Sequence, residues 1–115
     1  NGNISGWNVG TITNMENTFA NANAFNENLN SWDVSNVTNM FGTFQGADAF
    51  NSSLDQWNTS SVTNMNKMFK STNYDKNISM WNVSSVTSCT NFDYDTADSW
   101  TTSEKPNLDS GCIVS

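Results

Sequence analysis

The chain has 115 residues, enough for one domain with a modest core, and a net charge of −7 with four lysines, no arginine and no histidine. Such a chain has no electrostatic footprint for nucleic acid or anionic membrane, and no apolar run approaches the ~20 residues of a membrane-spanning helix. Asn, Ser and Thr supply 50 residues, a composition that would suit disorder were the aromatic and methionine positions not so regular.

That regularity sets the organisation. Trp7, Trp32, Trp57 and Trp81 are spaced by 25, 25 and 24 residues. Self-similarity at such a period marks a stacked-repeat architecture. Counting from each tryptophan, apolar residues recur three before (Ile4, Leu29, Leu54, Ile78) and five after (Ile12, Val37, Val62, Val86). They recur again eight after (Met15, Met40, Met65, Cys89) and twelve after (Phe19, Phe44, Phe69). Steps of three, four and three through Val37, Met40, Phe44 and Ala47 predict one stripe of a helix of about three turns. The step of two in Trp32-Asp33-Val34 predicts a very short strand. The fold class expected is therefore an α/β repeat solenoid, each coil a short parallel strand plus a short helix. One coil alone buries too little to fold, so neighbours must stack.

In chain order, residues 1–27 form a first coil with glycines flanking its strand, and 28–52 are the cleanest copy. Residues 53–76 are a third, with Thr59 in a valine position. Residues 77–92 begin a fourth and then leave the pattern, and 93–115 read as a C-terminal cap built on Tyr94, Trp100 and Leu108. Cys89 and Cys112 bracket this cap. A bridge between them would link it to the last coil and imply an oxidising compartment. The alternative is two free thiols, one standing in for a buried methionine. The chain opens inside a repeat without a visible signal peptide, so it reads as a fragment or processed piece. Its N-terminal coil, at Ile4, Trp7, Val9 and Ile12, is expected to be covered by upstream sequence or to dock onto another molecule, a second copy included.

The segment Trp32-Asp33-Val34-Ser35-Asn36-Val37-Thr38-Asn39-Met40, followed by Phe44, Ala47 and Phe50-Asn51, resembles the repeat of bacterial leucine-rich-repeat-like surface proteins. These are often called BspA-like, and the repeat is also catalogued as a domain of unknown function. The match covers residues 3–92, and the ending with Trp100, Lys105-Pro106-Asn107 and Cys112 is similar to the end of such arrays. Thr18 and Thr43 depart from a methionine frequent in the family, and one residue is deleted before Tyr74. The resemblance implies a leucine-rich-repeat-like secreted or surface-anchored protein with an adhesive role, and it transfers no catalytic residues.

Candidate site residues follow from the predicted strands. Asn8, Asp33, Asn58 and Asn82 should point away from the core, one per coil, ~4.8 Å apart on a concave face. Ser31 and Gln56 flank them, as do Gly6 and Met80. These form the candidate binding face, weighed against a merely solvated one. Asn14, Asn39 and Asn64 read as a ladder that satisfies backbone groups rather than as ligand contacts. The row Thr13, Thr38, Thr63 and Thr87 reads as helix-start capping rather than ice binding. Asp93, Asp95 and Asp98 are a weak calcium candidate without the spacing of an EF-hand loop. Six Asn-X-Ser/Thr sequons arise by composition. No nucleophile beside a base, phosphate loop or paired carboxylate suggests catalysis, and no cofactor is expected. Two functions stand as expectations. One is an extracellular or cell-surface module that binds a host or neighbouring surface protein or glycan. The other is a structural spacer or filament element with no ligand.

Overall fold

A computed structural model describes residues 6–106 and 108. The apolar register lies inward: Leu29, Trp32, Val34, Val37, Met40, Phe44, Ala47 and Phe50 of the second copy are all buried, as are Leu54, Trp57, Val62, Met65 and Phe69 of the third. The backbone that carries them is not the one expected. Among the described residues the only helical element is one 3-10 turn at Thr102–Glu104. No sheet is present there; parallel pairing is confined to isolated bridges, Asn14 to Asn39, Asn39 to Asn64 and Asn64 to Ser88.

The stretch expected to be a helix is a run of tight turns. Thr18, Ala20 and Ala22 donate their N–H to Met15, Asn17 and Phe19, three residues back. The intervening N–H groups leave the segment. Met15, Asn17, Phe19 and Asn21 donate to Asn39, Phe41, Thr43 and Gln45 of the next copy at 2.7–2.8 Å. The scheme recurs from Met40, Gly42, Phe44 and Gly46 to Asn64, Asn66, Met68 and Lys70, at 2.8–2.9 Å. It recurs again from Met65, Lys67, Phe69 and Ser71 to Ser88, Thr90, Phe92 and Tyr94. A helix is ruled out locally because two residues per layer, four apart, are left-handed: Asn17 and Asn21, Gly42 and Gly46, Lys67 and Ser71, Asn91 and Asp95, with φ between 56° and 72°. Such residues are not tolerated inside an α-helix. The short strands are also replaced by turns, since Trp32 donates to Leu29 and Val37 to Val34, with equivalents around Trp57 and Trp81.

Aromatic columns tie the layers together. Phe19, Phe44 and Phe69 stack at 5.5 and 5.4 Å, and Phe25, Phe50 and Tyr74 at 5.8 and 5.7 Å. The indole N–H groups of Trp57 and Trp81 donate to the Leu29 and Leu54 carbonyls of the preceding layer. Both columns end against Trp100, which meets Phe69 and Tyr74 edge-on at 5.3 Å, with Leu108 also buried. Tyr94, expected in that cover, is exposed. At the other end Trp7 has one ring face on Trp32 at 6.4 Å and is 61% exposed.

These findings correct the expected fold class. A leucine-rich-repeat-like α/β solenoid does not form, because the hydrogen bonds that would close helices run between layers instead. With no sheet among the described residues, there is no concave strand face. The body measures 36 × 27 × 21 Å with a radius of gyration of 12.7 Å, close to the roughly 13 Å of a compact domain of this length. It is a small globule made of turn-built layers. Of the expected disulfide-linked cap, Cys89 is fully buried and is not a free thiol, while Cys112 lies outside the described residues.

Candidate functional site: the repeated corner row

Each layer turns its corners with Asx turns, in which a side-chain oxygen accepts the N–H two residues on. Asn8, Asp33, Asn58 and Asn82 make the same bond to the N–H of Gly10, Ser35, Ser60 and Ser84 at 3.0–3.2 Å. Asp33 also accepts the Ser35 hydroxyl. That side-chain bond, with the backbone bond second, holds the Asp33 carboxyl below its ordinary pKa. All four are exposed, as are Ser31 and Gln56. The row therefore has its orientation fixed by its own backbone. The turn bonds leave one polar atom of each member unused by them, the amide nitrogen of Asn8, Asn58 and Asn82 and the second carboxylate oxygen of Asp33.

Two other rows do structural work, the first of them the asparagine ladder expected to satisfy backbone groups. Asn14, Asn39 and Asn64 accept the N–H of Glu16, Phe41 and Asn66 at 2.9 Å and form the parallel bridges. The Asn26 oxygen accepts the Asn51 N–H. Asn51 bonds Asp75 through both amide atoms, and Ser99 donates to Asp75. Those donors, Ser99 first and Asn51 second, lower the Asp75 pKa. Asn30 likewise bonds Asp55 of the next layer and, with Ser53, lowers its pKa. The signal for these ladders was present as polar residues recurring at one offset from each tryptophan.

The exposed threonines Thr38, Thr63 and Thr87 reach back to carbonyls of the preceding layer at 3.2–3.4 Å, so their role is not to start a helix. Buried Thr59 donates to the Asn82 carbonyl, which satisfies a hydroxyl in a valine position. The three acidic residues of the calcium candidate have separate surroundings. Asp93 pairs with Lys105 at 2.8 Å, and Lys105 lies over the Trp100 ring. Asp95 accepts from Ser71 at 3.5 Å, and Asp98 is exposed. Among the described residues no group of three such side chains could hold one ion. No described helix is long and apolar enough to cross a membrane.

No curated protein and no solved structure matches the chain. A protein-family model described as "Mycoplasma protein of unknown function, DUF285" matches residues 1–107, so the chain belongs to that family.

Proposed function

We propose that this chain is a non-catalytic interaction module of an extracellular or cell-surface protein, of the BspA-like kind. It would contact a surface protein or glycan through the corner row Asn8, Asp33, Asn58 and Asn82 with Ser31 and Gln56. The observation that supports this is the repetition of one exposed, pre-oriented polar group per layer on a single corner. Such a row suits a ligand that is itself periodic, because each layer offers the same group in the same attitude and little side-chain freedom is lost on binding. The competing reading, a spacer with no ligand, draws support from the same bonds, since one oxygen of each of Asn8, Asp33, Asn58 and Asn82 already serves its own turn.

The test is binding of the labelled chain to panels of immobilised glycans and surface proteins, repeated with Asn58→Ala and with Asp33→Ala. A ligand whose affinity falls at least about tenfold in each variant supports the module, the size expected for losing one good polar contact. Retained affinity in both variants overturns the corner row as the contact, and no ligand in either panel favours the spacer.

A further inference from the structure

The lysines are unevenly placed. Of the four in this chain of net charge −7, Lys105 is paired with Asp93 in the only ion pair among the described residues. Lys67 and Lys70 share one turn of the third layer, where the Lys70 N–H donates to the Lys67 carbonyl at 3.2 Å. Each ammonium lies over an aromatic ring of a neighbouring layer, Lys67 at 5.6 Å from the Phe41 centroid and Lys70 at 5.9 Å from that of Tyr94. These distances approach the ~6 Å limit of a cation–π contact, and a ring does not neutralise the charge above it. The carboxylates that share this register are held by other groups. Glu16, in the Phe41 column, accepts from Asn39 at 3.2 Å, and Asp95, beside Tyr94, accepts from Ser71 at 3.5 Å.

Two features set this edge apart from an ordinary solvated surface. Phe41 lies outside the buried core, and its counterparts in the other layers are the polar residues Glu16, Asn66 and Thr90. Lys67 has a left-handed backbone, φ 59°, at a position held in the other layers by Asn17, Gly42 and Asn91, types that accept it. A lysine kept in a strained conformation where asparagine or glycine serves elsewhere is the kind of outlier that gathers at binding sites. Phe41, Lys67 and Lys70 belong to the second and third layers, which have a layer on each side. Their half-buried state therefore does not come from an end of the chain.

We infer that Phe41, Lys67 and Lys70, with Tyr94 beside them, bind an acidic glycan. The ammonium groups take its carboxylates and the rings take the apolar faces of its sugars. A peptide fits less well, because the backbone here is already used: Gly42 and Lys67 donate to Asn66 and Thr90 of the following layers, which leaves no edge for a strand to join. A nucleic acid or an anionic membrane fits less well too. Two lysines do not offset the repulsion between a chain of charge −7 and a continuous array of phosphates. The register differs from that of the corner row, so this reading does not rest on that one.

The probe is a hexamer of galacturonic acid titrated into the full chain, with its methyl ester as the neutral control. Saturable binding of the acid tighter than about 1 mM is expected, weakening as salt is added. The ester should bind at least about tenfold more weakly, and Lys70→Gln should weaken acid binding by a similar factor. Lys67→Gly separates a ligand contact from a purely structural role. It removes the ammonium and relieves the left-handed strain, so the variant should melt no lower than the parent and still bind the acid at least about tenfold more weakly. Equal binding of acid and ester, unchanged affinity in Lys67→Gly or in Lys70→Gln, or absence of saturation each overturns the inference. Tighter binding of anionic lipid vesicles or of single-stranded RNA than of the acid overturns it as well. These variants leave the corner row intact, so failure here and failure of the corner-row reading are told apart.

Discussion

Gly42 shows at one residue why the turns form. Its φ is +61°, and a Cβ placed on it would collide with the side-chain oxygen of Asn17, its counterpart in the layer before. Gly42→Ala therefore combines left-handed strain with a clash and should cost about 1–3 kcal/mol. Ser71 sits in the same conformation at φ 60°, with only a 3.5 Å contact to Asp95 to lose. Ser71→Gly should relieve strain and stabilise the chain by about 1 kcal/mol. A helix through these positions demands the opposite signs, because alanine exceeds glycine there by about 1 kcal/mol and serine also exceeds glycine. Urea unfolding of the two variants checks both directions at once.

At the scale of the element, the ladder through Asn26, Asn51, Asp75 and Ser99 joins the layers at one corner and makes a pH-dependent contribution. The Asp75 pKa is lowered in the folded chain by the donors Ser99 and Asn51, and those of Asp55 and Asp33 are lowered by their own donors. For a depressed carboxylate the contribution is fully present above the unfolded value, near 3.9, and is lost as pH falls through the folded one. Melting temperature should drop as pH falls below about 4, and Asp75→Asn should flatten part of that drop while leaving the pH 7 melt lower. The elements themselves were only half legible. Val37, Met40, Phe44 and Ala47 lie inward as their spacing says, yet three-four-three spacing is common to a helix and to a chain of bonded turns. The discriminating signal was the column of Asn17, Gly42 and Asn91 with Asn21, Gly46 and Asp95, residues that accept positive φ. Lys67 and Ser71 blur that column, since neither advertises a left-handed backbone. For the corner row, the outward position of Asp33 and Asn58 could be read from the period beside Trp32 and Trp57. Their service to Ser35 and Ser60 could not, because an Asx turn needs the backbone path that the period left ambiguous.

At the scale of the whole molecule, stability should follow depth in the stack. Phe44 is fully buried and packs on Phe19, Phe50 and Phe69 at 5.5, 4.4 and 5.4 Å, so it touches three layers. Phe44→Ala should cost about 3–5 kcal/mol, the usual range for deleting a core ring. Trp7 is a larger ring with the same column geometry, but most of its surface is in water. Trp7→Ala should cost about 1 kcal/mol or less, near the worth of one aromatic pair. The body is compact and its layers share hydrogen bonds throughout, so both variants should still unfold in a single transition with unchanged denaturant dependence. Chemical denaturation followed by tryptophan fluorescence and by far-ultraviolet circular dichroism checks this. Two separated transitions in Phe44→Ala would mean that the layers fold as independent units, and a Trp7→Ala cost equal to that of Phe44→Ala would mean that the first layer is as deeply packed as the second.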